Sequence, residues 1–282
     1  MKISDYPDTY YSRTRREKRE YPALEDEIDV ETLVIGGGLA GSATALDLAE
    51  RGHRVALIEA ARIGWGASGR NGGFASDGFP GGYPKLVRRV GIERALEFHA
   101  LARMGQALLR KRIEEYAIAC GPIQDGALRC NIVGRGDDLT EFREFMAMNF
   151  ATNYDHWPRE RVIESLSTER YGDALFNPLT YSLHPLDLNC GLARAAESRG
   201  AQLFERSPAV ALSLAGDRKD VRTPRGRIRA ERVVIACGGY IEGLQKSISA
   251  ATIPIATFVM ATEPLGEKLK KAIRVPYAIF DN

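Results

Sequence analysis

Cysteine is scarce in this sequence, which has four in 282 residues. They are too far apart for a CxxC redox or zinc pair, and too few for the disulfide scaffold of a small secreted domain. The four residues are Cys120, Cys130, Cys190 and Cys237. We therefore expect reduced thiols in a cytoplasmic protein.

Long hydrophobic runs are also missing. Apolar stretches such as Ile253 to Ala261 are far shorter than the roughly 20 residues that a membrane helix requires. The stretch from Met1 to Glu20 is polar and charged, where a signal peptide would need an apolar core. These absences predict a soluble chain without a membrane partner.

The sequence lacks an excess of charge of either sign, with 39 Lys+Arg against 37 Asp+Glu. A net charge of +2 creates no general attraction for nucleic acid, so none is predicted as a partner. The exception is a basic run between Arg13 and Arg19. Because it has neither interleaved aromatic residues nor a basic helix face, a solvated arm is favoured over a nucleic-acid or lipid patch.

Metal and nucleophile motifs are absent as well. The sequence has no HExxH, no clustered His and Cys, and no GxSxG elbow, so no metal site is predicted and a hydrolase is disfavoured. Its length allows one large domain or two.

A βαβ pattern begins near Asp29. A short β-rich apolar run ends at Ile35, a helical stretch covers Ser42 to Arg51, and a second strand covers Arg54 to Glu59. The turn between strand and helix reads GxGxxG. The predicted dinucleotide-binding residues of this turn are Gly36, Gly37, Gly38, Leu39, Ala40 and Gly41.

Each part of this pattern has a physical reason. Gly36 permits the tight turn, Gly38 has no side chain to keep a pyrophosphate from the backbone, and Gly41 lets the helix pack close to the strand. Glu59 ends the second strand, where a carboxylate can accept hydrogen bonds from ribose hydroxyls. The same charge would repel a 2′-phosphate, which disfavours NADP and leaves NAD or FAD.

A second glycine-rich segment follows, from Glu59 to Gly73, and such bare backbone can lie against another flat portion of the ligand. Downstream, Arg232 to Gly239 forms a further buried-type strand that ends in glycines. This strand is predicted to return to the same sheet beside the cofactor.

These segments resemble a known family. The fingerprint, EAARIGWGASGRNGG from Glu59, SLHPLDL from Ser182, RVVIACGGY from Arg232 and ATEPL from Ala261 are similar to the D-amino-acid-oxidase-type FAD oxidoreductases. The nearest branch is γ-glutamylputrescine oxidase, whose members also tend to carry a tyrosine pair near the N-terminus, as at Tyr10 and Tyr11.

The resemblance implies FAD as the cofactor and assigns its contacts. Gly36, Gly38 and Gly41 would hold the pyrophosphate and Glu59 the adenosine ribose. Around the remainder of FAD, the resemblance places Ala60 and Arg62 beside the adenine, the backbone of Val210 also at the adenine, Ala67, Ser68, Arg70, Asn71 and Gly72 along the ribityl chain, and Ala236, Cys237 and Gly238 over the cofactor.

Arg70 has two interpretations that the sequence leaves open. Its guanidinium could reach a phosphate or the pyrimidine edge of the flavin, or it could pair with a surface acid. Arg143, Arg159 and Arg161 could likewise face a substrate carboxylate, although solvation explains them equally well.

The implied fold class is α/β with an α+β second domain, in which a Rossmann-like FAD-binding domain is interleaved with a mixed-sheet substrate domain. The predicted bounds are 28–80 and 184–244 for the FAD-binding domain, 81–183 and 245–282 for the substrate domain, and 1–27 for an N-terminal arm. Within them we expect a helical stretch over Ile92 to Ala119, a helix over Asp138 to Tyr154 and a strand over Ile253 to Thr262.

The implied reaction oxidises the C–N bond of an amine or amino acid to an imine and then an aldehyde or keto product, while oxygen becomes hydrogen peroxide. The partners would be a small amine and oxygen. No acid or base side chain is strictly required, so no catalytic residue is predicted. Alternatives are a non-catalytic FAD- or nucleotide-binding protein and, less favoured, an NAD-dependent dehydrogenase.

Relatives of this kind continue beyond the position of Asn282. We therefore expect a truncated chain with weak FAD retention and a tendency to aggregate.

Overall fold

The computed structural model describes residues 5–134 and 139–281. Its strands are β1 (Glu27–Ile35), β2 (Val55–Ile58), β3 (Phe74–Ala75), β4 (Gln124–Ile132), β5 (Asp155–Trp157), β6 (Tyr171–Ser182), β7 (Gln202–Phe204), β8 (Ala211–Ser213), β9 (Lys219–Arg222), β10 (Arg227–Ile235) and β11 (Ala278–Asp281). Its helices are α1 (Tyr10–Thr14), α2 (Leu39–Glu50), α3 (Tyr83–Val90), α4 (Ile92–Glu115), α5 (Leu139–Phe150), α6 (Arg159–Leu166), α7 (Pro185–Ser198), α8 (Lys246–Ala250) and α9 (Glu267–Ala272), with 3-10 turns at Ala67–Gly69 and Gly238–Tyr240.

The chain forms two compact units and passes between them several times. The first unit comprises Met1–Gly72, Arg112–Cys120 and His184–Met260, and the second comprises Gly73–Lys111, Gly121–Leu183 and Ala261–Asn282. This division differs from the predicted bounds near residue 80, at 112–120 and at 245–260. The assignment of one unit to FAD and the other to substrate stays a prediction.

The first unit is built on a sheet in the strand order β7-β2-β1-β10-β9-β8. Strands β7, β2, β1 and β10 run parallel, while β9 and β8 continue the sheet antiparallel. Strand β2 and the end of β1 are buried on both faces, as is usual for parallel strands, whereas β10 carries exposed side chains at Arg229, Glu231 and Arg232. In register, Ile35 lies beside Ile58 and Ile235, so these three strands end at one edge. The predicted return of the 232–239 strand to this sheet is confirmed.

Helix α7 is the most buried helix of the first unit, and its start follows from two residues. His184 is the N-cap, and its Nδ1 accepts a hydrogen bond from the N–H of Asp187 at 3.1 Å. Pro185 occupies the first turn, where its fixed φ suits a helix and its missing N–H costs nothing. The motif at His184 and Pro185 therefore has a structural reason.

The N-terminal arm lies against the first unit. The backbone N–H of Arg16 donates to Asp187, that of Tyr21 to Glu205, and that of Leu24 to the hydroxyl of Ser207. Arg13, Arg16, Lys18 and Arg19 of the basic run are exposed. The prediction of solvated side chains therefore holds for these four residues but not for Arg15, which is half-buried with its guanidinium 4.6 Å from the ring centroid of Tyr6. The backbone of the arm is fixed.

The second unit contains a mixed sheet in the order β11-β4-β6-β3, with β5 paired to β6. Strand β11 is parallel to β4, and β4 is antiparallel to β6. One hydrophobic cluster joins β4, β5 and α6 through Leu128, Trp157 and Val162. A second cluster joins α3, α4 and α5 through Tyr83 and Met146. The predicted combination of α/β and mixed-sheet parts is confirmed.

The predicted strand over Ile253 to Thr262 is wrong. The chain there forms neither a helix nor a strand, and Ile253, Phe258 and Met260 are 83%, 89% and 93% exposed. Apolar alternation favours a strand only where a neighbouring strand supplies hydrogen bonds, and no described strand does so here.

Two predicted helices are shorter than expected. The stretch from Ile92 ends at Glu115, where Ala117 adopts a positive φ of 46°. The helix expected over Asp138 to Tyr154 is described from Leu139 and ends at Phe150, with Ala151 at φ 49°. Asp138 itself lies outside the described residues. In both cases the left-handed residue turns the chain out of the helix.

Candidate dinucleotide-binding site

The site begins where β1, β2 and β10 end at a common edge. Gly36 follows β1, and its N–H donates to the carbonyl of Ile58 at 2.8 Å. Its φ is +108°, and a Cβ there would lie 2.7 Å from the carbonyl oxygen of Ala236. A side chain at position 36 is therefore excluded by both backbone strain and the adjacent strand.

Gly41 brings helix α2 against this turn. A Cβ on Gly41 would overlap the carbonyl oxygen of Gly36 and lie 3.4 Å from the Cβ of Ala236. The helix axis is therefore close enough to the sheet edge that its N-terminus opens directly above the end of β1. The first N–H groups of a helix have no intrahelical acceptor and form an anion-binding end.

Ser68 joins the second glycine-rich segment to that helix end. Its Oγ accepts a hydrogen bond from the N–H of Leu39 at 2.9 Å, and a Cβ on Gly38 would lie 2.9 Å from the same oxygen. Gly38 is the N-cap of α2 and has no capping side chain of its own, so Ser68 supplies it. The fingerprint and the 64–72 segment thus meet at the N-terminus of α2, where the pyrophosphate is predicted to bind.

Glu59 follows β2 at the same edge. Its two carboxylate oxygens accept hydrogen bonds from the N–H of Gly37 at 2.7 Å and of Ala61 at 2.8 Å. Burial raises the pKa of this carboxyl although the two backbone donors oppose the rise. Each oxygen retains acceptor capacity for a further donor such as a ribose hydroxyl. Ala60, which lies between Glu59 and Ala61 in the chain, is half-buried.

The carbonyl of Gly37 holds two further segments in place. It accepts hydrogen bonds from the N–H of Gly64 at 2.9 Å and from the Nδ2 of Asn189 on α7 at 2.8 Å. Sequence reasoning missed Asn189. The signal was its place directly after the SLHPLDL motif, which reads as a helix start rather than as part of the glycine turn.

Arg62 is a buried arginine paired with three carboxylates, of which only Glu205 is also buried. Its side chain is 1% exposed, with Nε 2.7 Å from Glu205, and a terminal nitrogen 3.0 Å from Asp5 and 3.1 Å from Glu20. Glu205 also accepts the N–H of Ile63 at 2.8 Å. The guanidinium therefore fixes the segment after Glu59, and its predicted adenine contact stays a prediction.

Arg70 contacts two aromatic residues. Its guanidinium lies 4.9 Å from the ring centroid of Trp65, and a terminal nitrogen donates to the hydroxyl of Tyr240 at 3.2 Å. Among the described residues no acid pairs with Arg70, so the surface ion pair is not formed. Tyr240, which sequence reasoning missed, also lies over Gly66, where a Cβ would be 3.0 Å from its ring.

The remaining residues of the 64–72 segment are exposed around a short turn. The side-chain amide of Asn71 donates to the carbonyls of Ala67 at 3.1 Å and Ser68 at 2.9 Å. Gly72 and Ala67 face solvent. The turn therefore has a fixed backbone and an open outer face.

The downstream candidates differ in position. Ala236 donates its N–H to Ile35 at 2.8 Å and Cys237 lies beside the same carbonyl, so both line the common sheet edge. Gly238 has φ +54° and opens the turn that carries Tyr240. Val210 precedes β8, is 59% exposed, and donates its N–H to Arg222 at 2.8 Å. None of the contacts described joins Val210 to the glycine turn.

Two negative findings apply to residues 5–134 and 139–281. No helix there has both the length and the apolar content needed to span a membrane. Nor does that part of the chain group three or more His, Cys, Asp or Glu side chains as metal ligands.

Comparison with known proteins gives a consistent result. The model of a family described as FAD dependent oxidoreductase (DAO) matches residues 31–282. The probable oxidoreductase OrdL of Haemophilus influenzae is 32% identical over 94% of this chain and 63% of its own length. The γ-glutamylputrescine oxidoreductase of Escherichia coli is 26% identical over 96% of this chain and 64% of its own. The chain thus spans less than two thirds of these relatives.

Solved structures agree with the fold. The crystal structure of glycine oxidase from Geobacillus kaustophilus superposes with a TM-score of 0.65 at 26% identity, covering 78% of this chain and 58% of that one. The predicted family, fold class and FAD cofactor are therefore confirmed. Within the family, the OrdL protein is more similar in identity than the γ-glutamylputrescine relative.

Proposed function

Because the chain belongs to the family of FAD-dependent oxidoreductases, we propose that it binds FAD at the edge formed by Gly36, Glu59 and Ala236 and oxidises the C–N bond of a small amine. The observation that carries this proposal is the meeting of Ser68 with the N–H of Leu39. It places a hydroxyl, a helix N-terminus and a side-chain-free turn at one point, which fits a pyrophosphate.

The residues of the edge suit the two ends of the adenosine diphosphate. The N-terminus of α2 provides backbone donors and a partial positive charge for the phosphates. Glu59 is held by Gly37 and Ala61 in a fixed orientation, so its free acceptor positions are aligned for ribose hydroxyls without further ordering. Ser68 can donate to a phosphate oxygen while its own oxygen continues to accept from Leu39.

Arg70 and Tyr240 extend the proposed site beyond the phosphates. The guanidinium is held by the Trp65 ring and the Tyr240 hydroxyl, so one cation is fixed on the exposed face of the 64–72 segment. A fixed cation there favours negative charge on a bound ligand.

When bound, FAD would accept a hydride equivalent from the amine. In the proposed reaction the C–N bond loses two electrons and two protons to give an imine, water hydrolyses the imine to a carbonyl compound and an amine or ammonia, and oxygen takes up the electrons as hydrogen peroxide. The contribution of this chain is to bind and orient the cofactor.

The substrate proposal rests on the activities of similar proteins. One relative is a γ-glutamylputrescine oxidoreductase and others are glycine oxidases, so we propose a primary or secondary amine of the γ-glutamylputrescine or amino-acid type, and a role in polyamine catabolism. All four cysteines are free thiols, which supports a cytoplasmic location.

The visible spectrum of the purified chain tests this proposal. FAD should produce the two-banded spectrum of a bound flavin, and one member of a panel of amines should bleach it in the absence of oxygen. A bound flavin that no amine bleaches would instead indicate a non-catalytic FAD-binding protein. A chain that does not bind FAD would contradict the proposed cofactor site.

The substitution G41V tests the binding step, because its side chain would overlap Gly36 where α2 meets the turn, and G105A is its control. It should abolish the flavin spectrum. The helical variant G105A, whose added Cβ meets nothing within 4 Å, should retain it.

A further inference from the structure

The second unit contains a cavity of about 110 Å³ on one face of strands β4 and β6. Its polar lining consists of Arg129, Tyr154, Asn177 and Thr180, and its apolar lining includes Phe142 and Leu175. The opposite face of the same strands packs into the Leu128 and Trp157 cluster, so the two faces have different character.

Arg129 is the notable group of this cavity. Within residues 5–134 and 139–281, its guanidinium forms no hydrogen bond or ion pair, and its Nε is fully buried without a partner. The group is held 4.5 Å from the ring centroid of Phe142. A buried donor left without an acceptor is costly, so native proteins rarely keep one unless a ligand or water completes it.

The nearby negative charge does not neutralise Arg129. Asp77 is the buried carboxylate of this region, and one of its oxygens accepts from Asn177 at 3.0 Å. Its other oxygen lies 3.9 Å from Arg103. Because Asp77 already has a cation of its own, no carboxylate among residues 5–134 and 139–281 pairs with Arg129 at the cavity wall.

The neutral groups of the cavity are suited to an anion. Burial raises the pKa of the Tyr154 phenol, which therefore stays protonated and can donate. Thr180 carries a hydroxyl that accepts from Asn177 at 3.2 Å, leaving its own proton available. These donors face the same space as the guanidinium.

We propose that this cavity binds the carboxylate of a small organic acid or amino acid, with Arg129 as the charged partner. The planar fork of an arginine matches a carboxylate in two parallel hydrogen bonds. A volume of 110 Å³ corresponds to roughly four waters in the liquid, so the ligand has a short chain that lies against Phe142 and Leu175. This site goes beyond the proposed oxidase function and does not depend on it.

Ligand-observed NMR on the complete chain in the presence of FAD tests the assignment, with propionate as the probe. Wild-type protein should bind propionate saturably, with Kd in about the millimolar range, and should not bind n-propylamine. R129Q should bind propionate at least about tenfold more weakly. The matched control R89Q removes an exposed arginine at the end of α3, and its affinity for propionate should lie within twofold of wild type, as expected of a surface substitution.

Equal affinity of R129Q and wild type, or no saturable binding to wild type, would overturn the assignment. If R129Q fails to fold, the Nε–H resonance of Arg129 in wild-type protein, assigned by its loss in R129K, provides the test. It should shift on adding propionate, and an unmoved resonance at saturation would refute the site. Tighter binding of glycine than of propionate would identify an amino acid as the source of the carboxylate. Tighter binding of propionate would identify a free organic acid.

Discussion

The carboxylate of Glu59 accepts a hydrogen bond from the N–H of Gly37 at 2.7 Å. This contact ties the end of β2 to the turn after β1, two segments that a dinucleotide must meet together. It also means that the acid predicted to bind ribose shapes the turn predicted to bind phosphate. Changes at Glu59 should therefore affect both FAD binding and folding.

E59Q is expected to weaken FAD binding by about tenfold and to destabilise the chain by about 1–2 kcal/mol, because an amide can accept through only one of its two polar atoms. The stability loss should depend on pH. Burial raises the folded-state pKa of Glu59, so the stability it contributes is complete below its unfolded pKa and is lost as pH rises through the folded pKa. The difference between wild type and E59Q should shrink from pH 4 to pH 7 in urea titrations.

Glu31 provides the control of opposite sign. Its carboxylate accepts the N–H of Arg54 at 2.8 Å, and this hydrogen bond lowers its pKa. Its contribution is present above the unfolded pKa and is lost as pH falls, so the penalty of E31Q should grow between pH 4 and pH 7. Parallel trends for E59Q and E31Q would contradict the proposed cause.

G41A should destabilise the chain by about 1–3 kcal/mol through the overlap of its Cβ with the carbonyl of Gly36. G105A places the same methyl group on an open face of α4 and should stabilise by about 0.5–1 kcal/mol, since alanine favours the helix. Urea unfolding of both variants measures the contrast. Similar effects at the two positions would show that α2 does not pack as tightly as the structure indicates.

Sequence alone was sufficient for the parts of the site that depend on backbone geometry. The tight turn at Gly36, the close packing at Gly41 and the strand that ends at Ile235 follow from local patterns with few physical alternatives. The contact of Ser68 with Leu39 was not predicted, because the resemblance placed Ser68 along the ribityl chain. Long-range side-chain partners could not be read in this way. Neither the link from Asn189 to Gly37 nor the contact of Tyr240 with Arg70 has a local signature, because each depends on how distant segments pack.

The predicted strand from Ile253 shows the complementary limit. Its apolar and β-branched residues satisfy the pattern of a strand, but a pattern does not include the hydrogen-bonding neighbour. Arg62 illustrates a different limit, since the sequence identifies a cation beside Glu59 without showing which acid it meets. The structure pairs it with Glu205, more than a hundred residues away in the chain.

E205Q is expected to destabilise the chain by about 3 kcal/mol, because it leaves the buried Arg62 with only the exposed carboxylates of Asp5 and Glu20. The double variant R62M/E205L should recover a substantial part of that loss, since removing both charges avoids an unpaired one. Thermal or urea unfolding of wild type, R62M, E205L and R62M/E205L gives the coupling energy between the two side chains. E267Q, which breaks an exposed ion pair with Lys270, should be close to wild type.

R70A should lower FAD affinity about tenfold, because it removes the fixed cation of the 64–72 segment. Y240F retains that cation and loses only the hydroxyl acceptor, so its effect should be smaller, about threefold. FAD titration followed by flavin fluorescence measures both. Unchanged affinity in R70A would remove Arg70 from the site, and an effect of Y240F larger than that of R70A would show that Tyr240 acts independently of it.

His99 of the second unit should make the folded chain less stable at acidic pH. Its ring lies between the hydroxyl of Tyr83 at 3.0 Å and that of Thr152 at 3.3 Å. Burial lowers the pKa of this histidine, and the nearby Asp77 opposes the shift only in part. As pH falls below the unfolded value of about 6.5, the unfolded chain takes up a proton that the folded chain resists, so stability decreases.

Asparagine at this position offers the same short polar contacts without a titrating group. H99N should therefore be less stable than wild type at pH 8, because the ring leaves a cavity beside Phe150, whose ring centroid is 5.2 Å away. The deficit should narrow toward pH 5, since only the wild type bears the cost of a suppressed protonation. Urea unfolding at both pH values decides the matter: a deficit that stays constant or widens toward pH 5 would mean that His99 does not resist protonation in the folded chain.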